Sequence, residues 1–250
     1  MKPETIYIYG KNAVLEALRK NPKLVERIYL EKGRDFEKEV ATELKGIVAE
    51  NKISEENFSP TSLPREIEGM NHQGIFARVQ VESLTINFEY FLKNLEITAD
   101  TCVVILGELT DVNNVGSIIR SAAALGASGV LIPEHNQAQI TGAVVKVSAG
   151  AAFSIPLVSI GNVNDTIKKL KDKRFWVYGL DMNGEKNIYQ ESFTEATCFV
   201  VGSESEGLRE KTREACDMVL SIPLSGKVES LNAAVSTAIA IYEWRKQINK

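Results

Sequence analysis

CFVVGSESEGLRE, Cys198–Glu210, and MVLSIPLSGKVESLNAAVSTAIAIYEW, Met218–Trp244, are the stretches on which the fold turns. The run Cys198, Phe199, Val200, Val201 is short and β-prone and ends at Gly202, the pattern of a parallel strand buried on both faces. Gly202 and Gly207 then frame a loop whose backbone can approach a ligand closely. Met218–Ile222 reads as a second buried strand, stopped by Pro223. After Ser225-Gly226, Ser230 reads as the N-cap of a helix whose faces are mostly alanine, serine and threonine. Two strand ends, two glycine loops and a small-residue helix start make a pocket at a sheet edge. Such a pocket suits a nucleotide-like ligand held largely by backbone.

Two familiar versions of such a loop do not fit. Gly202 and Gly207 have the spacing of a phosphate loop, but Leu208-Arg209 follows where that loop needs Lys-Ser/Thr, so phosphate and magnesium both lack their ligands. No G-x-G-x-x-G follows a predicted strand, so a dinucleotide site is unsupported. Glu204 and Glu206 read either as an acid/base pair or as acidic residues that favour the start of a helix.

The 250 residues suffice for one or two domains with a sizeable core. With 29 basic and 33 acidic residues, a net charge of −4, the whole-molecule field does not advertise nucleic acid, although a local basic patch is compatible with it. Lys2, Lys11, Arg19, Lys20, Lys23 and Arg27 form such a concentration near the start. Cys102, Cys198 and Cys216 lack metal-ligand spacing and read as small buried hydrophobes, so no metal is expected. No signal peptide or long apolar span is visible, which makes the expected location cytoplasmic, with no membrane partner.

Along residues 1–81, strand and helix alternate. Ile6–Tyr9, Arg27–Leu30 and Ile75–Val81 read as strands, Asn12 as the cap of a helix through Leu18, and Ile53–Pro64 as irregular. Phe36, Val40, Leu44, Ile47 and Val48 recur at helical spacing. Residues 82–100 form a connecting segment in which Phe88, Tyr90, Phe91 and Leu92 suggest a short docked helix. From 101 to 250 the alternation is regular. Val103–Leu106, Val130–Ile132, Ile155–Val158 and Phe175–Leu180 precede the two strands of the opening stretch, giving a parallel α/β sheet of about six strands. The helices are Val115–Leu125, closed by Gly126, and Thr166–Lys171.

The loop and helix after the first of these strands, Gly107–Arg120, crowd polar residues at the carboxyl end of a parallel strand, the usual place for chemistry in open α/β sheets. Here Asp111 or Asn114 can serve merely as a cap, and Arg120 can pair with a surface carboxylate. Three segments stand in order, each after a predicted strand. They are Asn114-x-Gly116-x-x-x-Arg120, Gly202-x-Glu204-x-x-Gly207-Leu208, and Ile222-Pro223-Leu224-x-Gly226-x-x-x-Ser230-Leu231-Asn232. Together they resemble the three motifs of the SpoU family of ribose 2′-O-methyltransferases, within the SPOUT superfamily, and the likeness is dense over residues 101–247. Ile8-Tyr9-Gly10-x-Asn12-Ala13-Val14 and Asn71-His72-Gln73-Gly74-Ile75 resemble the family's extra N-terminal domain, of ribosomal-protein L30e type. That two-domain layout is similar to the members acting on a guanosine of 23S rRNA. It is unlike the TrmH-type tRNA members, which lack such a domain.

The resemblance implies an α/β SPOUT sheet with a C-terminal deep trefoil knot, preceded by a small L30e-like α/β domain, against the usual rule of unknotted connections. It implies S-adenosylmethionine as cofactor, held by Gly202, Ile222 and Leu231 with Leu224 and Ala233 beside them. It also implies a structured RNA as substrate and a homodimer through the second domain. The small residues Ala233, Ala234, Thr237, Ala238 and Ala240 would let two backbones come close in that dimer. Arg120 matches the family's catalytic arginine, which activates the 2′-hydroxyl with an RNA phosphate assisting. A guanidinium pKa of about 12.5–13.8 makes phosphate anchoring the simpler role. Asn114 and Asn232 would orient Arg120 or the ribose, Glu204 would hold that network, and Ser230 would face the site. Asn113 departs from the histidine frequent at its position, and Glu206 falls outside the pattern. The same chemistry on tRNA or on an antibiotic-resistance site, and an RNA-binding assembly factor without chemistry, are the alternatives.

Overall fold

Alternation of apolar and polar residues builds the first sheet, and unbroken apolar runs build the second. A computed structural model describes residues 5–80, 84–203 and 206–248. By contacts the chain forms two units, Met1–Thr85 with Ile140–Ser154, and Ile86–Gln139 with Ile155–Lys250.

The first unit runs β1 (Thr5–Tyr9), α1 (Lys11–Lys20), β2 (Val25–Glu31), α2 (Lys38–Glu50), β3 (Ser54–Phe58) and β4 (Ile75–Gln80). The sheet order is β1-β4-β2-β3, with β4 antiparallel to both neighbours and β3 parallel to β2. Ile8, Ile28, Ala77 and Val79 are fully buried, as are Val14 and Leu18 on α1. On the other face Phe58, Ile67 and Phe76 form a second cluster with Tyr9, in which Tyr29 stacks on Phe76 at 4.5 Å between ring centroids.

Two expectations fail here. Gly10, not Asn12, stands at the N-cap of α1, and no side chain caps it. The stretch expected to be irregular contains β3, whose residues SEENF are exposed except for Phe58. An edge strand with one contact face has little apolar patterning to betray it. The last residue of the expected strand ending at Val81 lies outside the described residues.

The chain continues through β5 (Thr85–Asn87), α3 (Phe88–Asn94), β6 (Cys102–Leu106), α4 (Val112–Ala124), β7 (Gly129–Pro133) and α5 (Gly142–Val147). It then forms β8 (Leu157–Ile160), α6 (Val163–Asp172), β9 (Phe175–Leu180) and the short β10 (Lys186–Asn187). Last come β11 (Ala196–Val201), α7 (Glu210–Ala215), β12 (Met218–Ser221) and α8 (Ala233–Ile248). The eight strands lie in the order β10-β12-β9-β11-β6-β7-β8-β5, and every pairing from β10 across to β8 is parallel. Six of these strands match the expected sheet, and β5 and β10 extend its two edges. Val103, Ile105, Val177 and Val200 pack with Phe88 and Phe91 of α3 and Ile167 and Leu170 of α6. The alternate residues Val104, Leu106 and Phe199, all fully buried, belong to the opposite face of the pleat, where α4 meets β7 and α8 meets β11.

Residues 140–154, expected within the second domain, cluster with the first unit. There Lys146 Nζ donates to Gln73 Oε1 at 3.2 Å, and Ser154 Oγ donates to Glu16 Oε2 at 3.4 Å. No helix among the described residues is long and apolar enough to cross a membrane.

Candidate active site

Parallel strands that start level end level, and the registers show which loops meet. Val201 pairs with Leu106 of β6 and with Leu180 of β9, and Leu220 of β12 pairs with Leu180. The loops after β6, β9, β11 and β12 therefore leave the sheet at one edge, its carboxyl edge. Gly107 N donates to Val201 O at 2.7 Å, which carries the β6–β11 ladder one residue beyond the strands.

At that edge Gly202 is buried, and a Cβ there would run into the backbone carbonyl of Gly207. Ser203 and Gly207 exchange backbone hydrogen bonds at 3.0 and 3.1 Å, closing the loop into a tight cradle. Glu204 lies outside the described residues. Ile222, Leu224 and Leu231 are half-buried along 222–232, a stretch without helix or strand between β12 and α8, and Ala233 opens α8 half-buried. This donor set is neutral backbone and aliphatic carbon, which fits an adenosine-type ligand, and it holds no group that would repel a sulfonium.

Motif residues 118 positions apart meet directly. Asn232 Nδ2 donates to Asn114 Oδ1 at 2.7 Å. The same Asn232 accepts through Oδ1 from Ala234 N at 2.9 Å and Val235 N at 3.3 Å, so its amide caps α8 and ties it to α4. Asn232, rather than Ser230, is thus the capping residue. Ser230 is exposed and stands three positions before the first helical residue, too early to be the N-cap. On α4 the cap is Asp111, which accepts from Asn113 N at 2.8 Å, and Asn114, only 4% exposed, makes the link to Asn232.

Arg120 lies on the exposed side of α4 with Asn113, one heptad away. It makes no hydrogen bond or ion pair with a described residue, and the surface carboxylate it could have paired with is absent among them. The site therefore joins Asn114 and Asn232, aligns Gly202 with the ends of β6, β9 and β12, and leaves Arg120 facing solvent.

Three of the five small residues expected on the dimer face of α8 are spent inside the chain, while Ala233 and Ala238 are half-buried. Ala234, Thr237 and Ala240 are buried where α8 packs on α4. The outward stripe is instead Val235, Ala238, Ile239 and Tyr242, with Val235 47% and Tyr242 55% exposed.

Near the start of the chain the basic concentration is mostly paired. Lys11 bonds Glu37 at 2.9 Å, Arg19 bonds Glu43 at 2.6 Å and Glu16 at 3.1 Å, and Arg27 bonds Glu56 at 2.6 Å. Lys20 and Lys23 are exposed, and Lys2 lies outside the described residues.

The three thiols are inert by environment. Burial pushes Cys102 and Cys198 far up, and burial with Asp217 beside it pushes Cys216 up to about 12. Among the described residues no group of histidine, cysteine and carboxylate side chains could hold a metal ion. Sequence reasoning passed over the loop after β8, Gly161-Asn162-Val163-Asn164. It reaches the same carboxyl edge and carries the same signal of glycine and asparagine after a strand.

The sequence model of the SpoU rRNA Methylase family matches residues 101–242, and that of the family "RNA 2'-O ribose methyltransferase substrate binding" matches residues 7–83. The chain is 35% identical over 242 residues to the 23S rRNA (guanosine-2'-O-)-methyltransferase RlmB of Pseudomonas putida, covering 96% of each chain. To the RlmB of Escherichia coli it is 34% identical, covering 96% of this chain and 98% of that one. The SpoU methyltransferase AviRb of Streptomyces viridochromogenes, solved in complex with the cofactor AdoMet, superposes with a TM-score of 0.82 at 25% identity, covering 98% and 91%. A protein of the TrmH family from Porphyromonas gingivalis, at 24% identity and a TM-score of 0.75 over 98% and 90%, shares the fold. The matched span takes in α4, the β11 cradle and the start of α8, and with whole-length relatives at this identity the chain belongs to the SpoU rRNA methylase family.

Proposed function

We propose that this protein transfers a methyl group from S-adenosylmethionine to the ribose 2′-hydroxyl of a guanosine in 23S rRNA. The observation that carries the reading is the 2.7 Å bond between Asn232 and Asn114. It brings the helix bearing Arg120 and the helix start after β12 to one sheet edge beside the Gly202 cradle. The relatives that match over nearly the whole chain are named for this activity, and AviRb was solved with AdoMet bound.

S-adenosylmethionine, when bound, supplies an electrophilic methyl on a sulfonium. Gly202, Ile222, Leu224, Leu231 and Ala233 hold it through backbone and aliphatic contacts. The ribose oxygen would bond the methyl carbon as its bond to sulfur breaks and S-adenosylhomocysteine leaves, and the hydroxyl proton would pass to an acceptor on the enzyme or RNA or to water. Arg120, exposed on α4, reaches for an RNA phosphate and the hydroxyl with its planar fork. Asn114 and Asn232 fix the attitude of α4 that presents it. By their motif positions, Ser230 and Glu204 would serve the same network. The deep trefoil knot belongs to the same proposal, formed where the chain beyond β12 passes the loop after β11.

In this reading the first unit is the L30e-like RNA-holding part, with Lys20 and Lys23 among its free cations. The enzyme works as a homodimer through the outward stripe of α8, since a Val235–Tyr242 stripe is an apolar surface a monomer leaves wet. Ribose-methylation mapping of 23S rRNA, from cells with and without the gene, tests the activity. One guanosine should lose its 2′-O-methyl mark without the gene and regain it when purified protein and S-adenosylmethionine are added. An unchanged map removes the assignment. Light scattering of Tyr242→Asp against wild type tests the dimer, which should dissociate.

A further inference from the structure

The second unit holds a cleft of about 580 Å³ that none of the motif-derived cofactor contacts lines except Gly202. It opens at the carboxyl ends of β6, β7, β8 and β11, marked by Gly107, Pro133, Gly161 and Gly202. Ile222, Leu224, Leu231 and Ala233 stand outside it. The Gly202–Gly207 loop thus has the proposed cofactor contacts along the β12 side and this cleft along the β7–β8 side. Its volume lies within the roughly 300–1,000 Å³ of small-ligand pockets.

The lining reads one kind of ligand. Asn164 accepts through Oδ1 from Thr212 Oγ1 at 3.0 Å, which fixes the amide and leaves its Nδ2 donors as the end available to a ligand. His135 and Asn136 come from the loop after β7 and are exposed. Lys211 is exposed and has no ion-pair partner among the described residues. Arg209, by contrast, is held by Glu108. Glu108 sits at φ 63, a left-handed conformation that a non-glycine residue keeps only where its surroundings impose it. Amide and imidazole edges with one free ammonium, and no phenylalanine, tyrosine or tryptophan ring in the lining, suit hydrogen bonding to a base edge and a phosphate.

We propose that this cleft is a subsite for one unstacked nucleotide of the substrate RNA, next in the strand to the methylated one. Lys211 takes its phosphate, and Asn164 with His135 reads the edge of its base. This rests on the RNA-methyltransferase reading above and adds to it a contact that selects the RNA sequence flanking the target. A strand laid along the carboxyl edge, with its reacting ribose beside the Gly202 cradle, must pass this cleft or the opposite side of the loop, where the proposed cofactor contacts lie.

Gly161 gives the cleanest test, because it lines the cleft and a Cβ there meets nothing within 4 Å, so a large side chain can be added at the cleft wall without a clash at its Cβ. Gly161→Trp should melt at the wild-type temperature and bind S-adenosylhomocysteine with wild-type affinity by calorimetry. Its KM for unmodified 23S rRNA should rise at least ~tenfold, a change of about 1.4 kcal/mol. Lys211→Ala should weaken RNA binding in a filter assay and lower the slope of log affinity against log salt by about one. Asn164→Ala should raise KM more than Thr212→Val, which breaks the same 3.0 Å bond but leaves the Nδ2 donors in place. Equal effects would mean a merely structural role and overturn the base-reading part.

The subsite falls if Gly161→Trp and Lys211→Ala both keep wild-type KM and salt slope. Wild-type protein that binds the homocysteine analogue and methylates no 23S rRNA overturns the function instead. The filter assay with Lys211→Ala still decides the cleft in that case.

Discussion

Replacing Asn232 by aspartate removes one hydrogen-bond donor and changes little else. The side-chain oxygen that accepts from Ala234 N and Val235 N is retained, and aspartate is as good an N-cap as asparagine. The Nδ2 donor at 2.7 Å from Asn114 Oδ1 becomes a second carboxylate oxygen, facing an acceptor on a residue only 4% exposed. Losing one bond to a buried polar group costs about 1–3 kcal/mol. Alanine loses the same bond and the cap, adding about 1 kcal/mol. Asn232→Asp should therefore melt about 2–12 °C below wild type at pH 7.5, and Asn232→Ala lower still. Acidification supplies an internal check, because a protonated carboxyl regains an O–H donor toward Asn114 and the gap between aspartate variant and wild type should narrow. Thermal melts by circular dichroism across that range, with a methylation assay alongside, read both outcomes. If the aspartate variant melts with wild type at neutral pH, the 2.7 Å link does not hold α4 to α8.

Arg120→Ala should keep S-adenosylmethionine binding in calorimetry yet lose methyl transfer by at least ~10²-fold, and Arg120→Lys should restore little of it because an ammonium lacks the planar fork. Retained activity in the alanine variant would remove Arg120 from the chemistry. Gly202→Val should show the opposite order. Its side chain collides with the Gly207 carbonyl, so cofactor affinity should fall at least ~tenfold in the same titration. Stability should also fall in alkali. The folded chain keeps protons on Cys102, Cys198, Cys216 and Tyr178, whose pKa values are all raised, chiefly by burial, while unfolded thiols release theirs near pH ~8.5. Above that pH the unfolded state binds fewer protons, so the stability slope with pH is negative. Urea melts from pH 7 to 10 should be level at first and then decline, less steeply in Cys102→Ala.

Residues that pattern alone can place were legible in the sequence. Cys198–Val201 and Val103–Leu106 show no alternation because both faces of their sheet are covered, and they lie side by side as a buried parallel pair. The three motifs were legible as separate segments, and the family resemblance, not any local rule, put Asn114 and Asn232 in one network. Asn232 and Asn114 are 118 positions apart, and no local rule says which of Ser230 and Asn232 turns its oxygen to the helix. The polar strand Ser54–Phe58 hid because an edge strand needs only one apolar contact, Phe58. Asn162 and Asn164 hid for another reason. Asn162 caps α6 through bonds to Asn164 N and Asp165 N, which is what asparagine after a strand does in any α/β protein, so the neighbouring cleft left no distinct trace. Of the α8 alanines read as an outer surface, Ala234 and Ala240 are buried instead, because an alanine allows close approach equally well to α4 within the chain.

The excursion of residues 140–154 into the first unit has a bearing on how this protein can be cut. The polypeptide enters that unit twice, so no single scission yields both bodies intact. A fragment ending near Thr85 would lack α5, and one beginning at Phe88 would carry α5 without Tyr7, Glu16 and Gln73 to cover it. Val144, Val145 and Phe153, buried in the whole chain, would then face water, and such a fragment should be sticky rather than merely shorter. Removing the first unit while keeping a soluble remainder thus calls for replacing 140–154 by a short linker between β7 and β8 as well as trimming the N-terminus.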